Sequence, residues 1–359
     1  MNPIAQDLNA SLGHLSKQFG QCSGKSQLPG DASNRKYFRL KFENQLNSIL
    51  MLIYEEKGPI QGEISVASQK LSPSEQFVAV QNFLHEHGLR VPKILAQHDS
   101  PKLILLEDLG DDLLFNLISK DKSKLMFYYQ KALEQLADLA LTTDQLSSTS
   151  FIKNRCFDRK LWLGEFEHFV ECALDVHLNL SDTHRQELMK TFEHLSIELA
   201  NYPQHLCHRD YHARNLIYLP KEEQFAIIDF QDALMAPLTY DIASLLRDAY
   251  FEIPRDTRYN LVQYAYQCAL ERQILSKDNS YDEFQYQFDL VATHRNLKAA
   301  GRFFYIDQVK GNPNYLKDIP LCLTYIQDTL ERYSNLKQLK NLLEDPIAQL
   351  LERKELYKA

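Results

Sequence analysis

The first part of the chain alternates between strand and helix. Residues 36–42 set Phe38, Leu40 and Phe42 on one face and Arg39 and Lys41 on the other, the period-two pattern of a half-buried strand. Residues 48–54, SILMLIY, form a nearly unbroken apolar run that predicts a second, more deeply buried strand. Ser72, followed by Pro73 and by Glu75 three residues on, predicts a capped helix start. Phe77, Val80 and Leu84 then recur at helical spacing, and Gly88 supplies a stop. Residues 103–106 predict one more strand, running into Glu107-Asp108-Leu109-Gly110.

Beyond Gly110 the pattern changes to long amphipathic helices over 122–143, 158–177, 182–200, 239–250, 256–273, 282–308 and 318–333. One strand-rich island, 205–230, interrupts them. The expected fold class is α+β with two lobes: a strand-rich N-terminal lobe over 1–108 that binds nucleotide, and a helical catalytic and substrate lobe over 109–359. Inter-lobe clefts are favoured ligand sites.

Composition narrows the class. The 359 residues are 44% hydrophobic and 25% charged, ordinary for a globular enzyme, with a formal net charge of -8. That balance argues against a nucleic-acid partner. No run approaches the twenty apolar residues of a membrane span, and the N-terminal segment lacks the charged and apolar regions of a secretion signal. The six cysteines include no CxxC pair and predict no disulfide framework. A cytoplasmic location is expected.

The segment His208-Arg209-Asp210-Tyr211-His212-Ala213-Arg214-Asn215, followed by Ile228-Asp229-Phe230, carries the chemistry. Phosphoryl transfer needs an oriented hydroxyl and a magnesium ion that neutralises phosphate charge. Magnesium takes hard oxygen ligands, typically one or two carboxylates beside water and phosphate. Asp210 in a loop can accept the hydroxyl proton, and Asn215 offers an amide oxygen. A hairpin over 216–228 returns Asp229 towards Asn215. This pairing of H-R-D-x-x-x-x-N with I-D-F resembles the catalytic and metal-binding loops of the protein-kinase superfamily. Either string alone occurs by chance; their spacing together is the specific signal.

The neighbouring positions complete the expected site. His208 and His212 are four apart, but zinc's HExxH needs a helix and an intervening Glu, so His208 is read as holding the loop by hydrogen bonds. About ten residues separate Asp229 from the helix at Thr239, too few for a peptide-docking activation segment. A small-molecule acceptor is therefore expected. Asp241 is read as a structural brace of the loop, with direct substrate contact as the alternative. Gly30, Asp31, Ala32 and Ser33 predict a phosphate-covering turn, against the bland reading of a simple hairpin turn. Backbone of the connector around Glu107 and Leu109 is expected to meet the adenine. No lysine stands in SILMLIY; Lys57, Arg39 and Lys41 are nearby, and the phosphate-pairing cation stays open. Glu75 is either its helix partner or simply the cap of Ser72.

Several stretches identify a family. HRDYHARN and AIIDFQDA resemble the aminoglycoside phosphotransferase and choline kinase family, whose fold is protein-kinase-like. GDASNRKYFRL, LLEDLGDDLL, DFQDALMAPLTYDIASLLRDAY, THRNLKAAGRF and NPNYLKDIPLCLTYI look closer to one bacterial branch, the anomeric N-acetylmuramate/N-acetylglucosamine kinases of cell-wall recycling. The resemblance covers residues 30 to about 327. It implies ATP and Mg2+ as cofactors, transfer of the γ-phosphoryl group to a sugar C1 hydroxyl, Asp210 as base, and Asn215 and Asp229 as metal ligands. Tyr54-Glu55-Glu56-Lys57-Gly58 departs from the Asp-Ala-Pro-Pro type of that branch.

His212, Gln231 and Asp232 lie near the base in sequence and are candidates to hydrogen-bond a sugar. A lactyl carboxylate would favour a bidentate donor, for which Arg214 and Arg247 are candidates, each with a structural alternative. Residues 305–310 either wall the pocket or belong to the core. Two competing expectations stand beside the sugar kinase. One is a phosphotransferase for an aminoglycoside or a choline-like amine, which would want acidic residues around the acceptor. The other is an inactive kinase-like binding module, which the presence of Asp210, Asn215 and Asp229 disfavours.

Overall fold

A computed structural model describes residues 3–28, 35–44, 47–53, 71–99 and 102–357. The chain opens with α1 (Pro3–Phe19), β1 (Cys22–Gln27), β2 (Arg35–Phe42), β3 (Asn47–Ile53), α2 (Pro73–Glu86), β4 (Ile94–Asp99) and β5 (Lys102–Glu107). It continues through α3 (Leu114–Lys120), α4 (Leu125–Leu141), α5 (Arg159–Phe169), a π turn (Val170–Leu174), α6 (Asp175–His177) and α7 (Asp182–Ala200). Then follow β6 (Gln204–Cys207), β7 (Leu216–Leu219), β8 (Gln224–Ile227) and β9 (Leu234–Pro237). The last helices are α8 (Thr239–Leu246), α9 (Arg255–Glu271), α10 (Tyr281–Lys310), α11 (Ile319–Arg332) and α12 (Lys337–Glu352). These elements fall into two compact units.

One unit holds the described residues up to Leu113 together with 216–231. Its five strands form an antiparallel sheet in the order β1-β2-β3-β5-β4. The alternation read from 36–42 is real: Phe38, Leu40 and Phe42 are buried on one face with Leu50, Leu52, Leu103 and Leu105. Leu8 and Leu15 of α1 close that face. Each such buried side chain contributes about 1.5–3 kcal/mol relative to exposure. α2 starts with the expected capping box: Ser72 N–H donates to Glu75 Oε2 at 2.7 Å, and Glu75 N–H donates to Ser72 Oγ. Glu75 is thus the reciprocal cap. The β7–β8 hairpin pairs Leu216 with Ile227 and Leu219 with Gln224.

The other unit holds, among the described residues, 114–215 and 232–357. Its axis is α10, 30 residues long, which packs against α5, α8 and α11 and is buried on most sides. Ser280 and Glu283 form its capping box, and Gly311 ends it at φ 64°. The close approach of α10 to α5 requires Gly301, where an added Cβ would stand 2.8 Å from Phe169 Cα. A two-stranded sheet joins β6 to β9, with Cys207 opposite Leu234. The expected helix over 239–250 ends at Leu246, because Arg247 leaves helical geometry at φ -121°. Among the described residues no helix is long and apolar enough to cross a membrane.

Candidate active site

The helical unit fixes the segment from His208 to Asn215 from several directions. It leaves β6 at Cys207, and Asp241 in the first turn of α8 accepts the N–H of His208 at 2.5 Å and of Arg209 at 2.9 Å. Arg209 sits at φ 80°, a left-handed conformation uncommon for a residue with a side chain. Its guanidinium donates to Glu165 of α5 at 3.2 Å, and its carbonyl accepts from Arg295 of α10 at 2.6 Å. His208 Nδ1 accepts the N–H of Asp210 at 3.2 Å, so the buried imidazole closes the turn on itself. Tyr211 is buried, its hydroxyl between Ala132 O and Gln135 Oε1, and Asp248 accepts the N–H of Ala213.

This bracing presents two oxygen-bearing groups. The Asn215 Nδ2 donates to the carbonyl of Asp210 at 2.9 Å, which directs the amide nitrogen inward and leaves the amide oxygen for another partner. The carboxylate of Asp210, 40% exposed, lies 3.6 Å from Arg295 and 3.9 Å from Lys298. Desolvation in the loop raises its pKa, but Lys298, Arg295 and Arg209 together pull it far below the usual carboxylate range. Asp210 is therefore ionised throughout the physiological range.

The expected substrate residues have different surroundings. Arg214 lies 3.6 Å above the ring of Tyr250 and 4.9 Å from that of Phe115. An aromatic series runs from His212 to Tyr250 at 5.6 Å, to Phe303 at 5.9 Å and to Tyr315 at 5.5 Å. Three separate sequence stretches, HRDYHARN, THRNLKAAGRF and NPNYLKDIP, thus meet in one wall. His212 Nδ1 is buried there with no hydrogen-bond partner among the described residues. Asp318 adjoins this wall; burial raises its carboxyl to about 6 against the opposing pull of Arg214. Asp232 pairs with Arg155 at 3.6 Å.

Arg247 is a correction. Expected as a carboxylate donor, it is buried and ion-paired with Asp289. It also donates to Tyr325 O and Thr329 Oγ1, each at 2.8 Å, and to the Tyr259 hydroxyl at 3.2 Å. Buried, with both terminal nitrogens bonded to internal acceptors, this guanidinium does not face a substrate. Tyr305 is likewise buried, packed on His168 and Arg302; Phe303 takes the place beside the loop. The cations Arg295 and Lys298 were not singled out from sequence, since they lie on a helix far along the chain from Asp210.

In the sheet unit, Asp229 follows β8 at φ 63°. Its Oδ1 accepts from Arg35 at 3.3 Å and from Gln231 at 3.1 Å, and the carboxylate is 44% exposed. Phe230 packs on Phe77 at 4.9 Å. The carboxylate of Glu107 is gripped by both terminal nitrogens of Arg90, at 2.8 and 2.7 Å, and by the N–H of Lys93. Leu109, half-buried, follows in the irregular stretch that Gly110 closes at φ 82°. Arg39 is engaged by Asp108 and Asp111, each at 2.8 Å. Gly30, Asp31, Ala32, Ser33 and Lys57 lie outside the described residues.

A five-stranded sheet unit, a helical unit and a braced loop carrying an ionised aspartate and an inward-bonded asparagine define a protein-kinase-like phosphotransferase. The chain belongs to the phosphotransferase enzyme family, whose family model matches residues 26–275. It is 29% identical over 315 residues to an N-acetylmuramate/N-acetylglucosamine kinase of Neisseria meningitidis serogroup B, covering 87% of each chain. It is 30% identical over 271 residues to a protein of the same name from Pseudomonas putida, covering 74% of this chain and 76% of that one. Among solved structures, a choline/ethanolamine kinase family protein from Mesorhizobium loti superposes with a TM-score of 0.61 at 12% identity, covering 97% of this chain and 99% of that one. The α+β, protein-kinase-like fold and the family resemblance expected from the sequence both hold.

Proposed function

We propose that this chain is an ATP- and magnesium-dependent kinase that transfers the γ-phosphoryl group to an amino sugar, at the anomeric C1 hydroxyl of N-acetylmuramate or N-acetylglucosamine. The observation that carries this reading is the braced loop of Asp210 in a chain whose relatives bear that kinase name. In this reading Asp210 accepts a hydrogen bond from the acceptor hydroxyl and takes its proton. Asn215 and Asp229 supply hard oxygens to magnesium, which would neutralise phosphate charge. The free amide oxygen of Asn215 and the half-exposed carboxylate of Asp229 fit such an ion.

The connector at Glu107 and Leu109 meets the adenine through backbone groups, since the Glu107 carboxylate is engaged by Arg90. Gly30, Asp31, Ala32 and Ser33 stay the sequence-based candidates for contacting the phosphates. His208 and Asp241 are structural. His212, Arg214 and Asp232 face the sugar, with Arg214 the candidate for a lactyl carboxylate now that Arg247 is accounted for. Cations surround Asp210, which favours a neutral or anionic acceptor over a polycationic aminoglycoside or a choline-like amine. A location in the cytoplasm, where ATP is available, suits this activity.

The test is phosphate transfer by the purified protein to N-acetylmuramate, N-acetylglucosamine, kanamycin and choline, with identification of the phosphorylated oxygen. Transfer to C1 of an amino sugar is the expected result. Transfer only to kanamycin or choline, or to none of the four, overturns it.

A further inference from the structure

Lys298 reaches the catalytic loop from the long helix α10. Its Nζ lies 3.9 Å from Asp210 Oδ1 and 3.7 Å from Glu165 Oε1, within ion-pair range of both but too far to hydrogen-bond either. Arg295, one turn earlier, also approaches Asp210, but each of its terminal nitrogens donates elsewhere. They donate to Arg209 O at 2.6 Å and Ser244 Oγ at 2.8 Å, and the guanidinium lies 4.5 Å from the ring of Tyr240. The two cations therefore differ in kind. Arg295 is a fixed brace, whereas Lys298 keeps its N–H donors off both carboxylates.

The spacing suits a bridging atom. An oxygen about 2.8 Å from both Lys298 Nζ and Asp210 Oδ1 would accept from the ammonium and donate to the carboxylate. A hydroxyl can do both at once. We propose that Lys298 is a further catalytic residue, which together with Asp210 grips the acceptor hydroxyl and fixes the direction of its lone pair. This rests on the kinase reading above.

The chemistry balances without further reagents. The hydroxyl oxygen forms a bond to the γ-phosphorus as the bond from that phosphorus to the β–γ bridging oxygen breaks; ADP leaves with that electron pair, and the hydroxyl proton passes to Asp210. Lys298 stays protonated throughout. Without it, the negative Asp210 would stand close to an incoming polyanion, and like charges at such distances repel strongly. A fixed ammonium offsets that repulsion and needs no reorganisation during the step. Glu165, buried and also paired with Arg209, attracts the ammonium by charge as well.

The experiment compares wild type, Lys298→Met and Lys298→Arg, measuring kcat and KM for sugar and ATP, nucleotide binding and Tm. Lys298→Met is expected to lower kcat about a hundredfold, with ATP binding within about twofold of wild type. Lys298→Arg keeps the charge but not the compact donor, and should fall about tenfold below wild type. A Lys298→Met kcat within about threefold of wild type overturns the proposal. Should that variant fail to fold, Lys298→Arg decides: wild-type kcat overturns the proposal, and a tenfold loss at unchanged Tm supports it. Wild-type protein that phosphorylates no acceptor overturns the kinase reading and this proposal together, whereas an active wild type with an unimpaired Lys298→Met overturns this proposal alone.

Discussion

Arg209 holds its left-handed backbone, φ 80°, while Asp241 accepts its N–H at 2.9 Å. Such a conformation in a residue with a side chain costs on the order of 1–3 kcal/mol and persists only where the surroundings over-determine it. The same carboxylate takes the N–H of His208, so two buried donors depend on one side chain. Asp241→Ala leaves both without an acceptor and should cost about 2–5 kcal/mol, read as a lower urea midpoint. kcat should fall with it, because Asp210 follows directly in the chain. If Asp241 instead touched the sugar, the sugar KM would rise while stability stayed near wild type, which separates the two roles.

Arg214 is the guanidinium of the loop region that an anionic sugar can reach by the proposed reading. Held over Tyr250 at 3.6 Å, it presents a planar edge suited to a carboxylate. Arg214→Gln should lower kcat/KM for N-acetylmuramate about 10- to 100-fold more than for N-acetylglucosamine, the range of one charge-assisted pair. Equal losses for the two sugars would assign Arg214 to structure alone.

Much of this molecule is legible in its sequence because local rules and tertiary demands agree. The alternation at Phe38, Leu40 and Phe42, the cap at Ser72 and Glu75, and the helix Asp182–Ala200 each follow from one short pattern. Residues 337–352 fold as a helix despite an interior Pro346, since Leu339, Leu342, Leu343, Ile347 and Leu350 bury a complete stripe that outweighs the local penalty. Asp210 and its loop are readable because their residues are contiguous. Lys298 and Arg295 are not, because only the packing of α10 carries them to Asp210. Arg247 misleads for the converse reason: nothing local reveals that Asp289, on another helix, neutralises it.

His294 gives the helical unit a pH dependence whose sign follows from its burial. It is enclosed by Trp162 and Phe166, at 4.5 and 4.6 Å between ring centres, with Nε2 on Trp162 O and Nδ1 buried with no partner among the described residues. Burial lowers its pKa from 6.5 to about 4, although Glu165 at 3.7 Å pulls the other way; Lys298 and Arg295 add to the lowering. Between these values the unfolded chain binds a proton that the folded chain does not, so stability is full above pH 6.5 and is lost as pH falls towards 4. From pH 7.5 to 5 the loss from this residue should be about 2 kcal/mol. His294→Gln should flatten the stability–pH curve by that amount in urea titrations at the two pH values. Parallel curves for variant and wild type would mean that His294 takes up its proton as readily in the fold as in the unfolded chain.

At Gly301 the backbones of α10 and α5 come into close contact. An added Cβ would meet Phe169 Cα at 2.8 Å and Phe169 N at 3.1 Å, both backbone atoms that cannot swing aside. In an unhindered helix, Gly→Ala stabilises by up to about 1 kcal/mol through propensity. Here the helices must separate instead, and overpacking of this kind costs about 1–3 kcal/mol. Gly301→Ala should therefore destabilise, against its propensity, and be detected as a lower urea midpoint. The displacement should extend to catalysis, because Lys298 lies one turn before Gly301 and Glu165 one turn before Phe169. A tenths-of-an-ångström shift between these helices moves the ammonium relative to Asp210, so kcat should fall several-fold while ATP binding is retained. A stabilised Gly301→Ala protein with wild-type kcat would show that the helices can part at no cost, and that the position of Lys298 is not set by this contact.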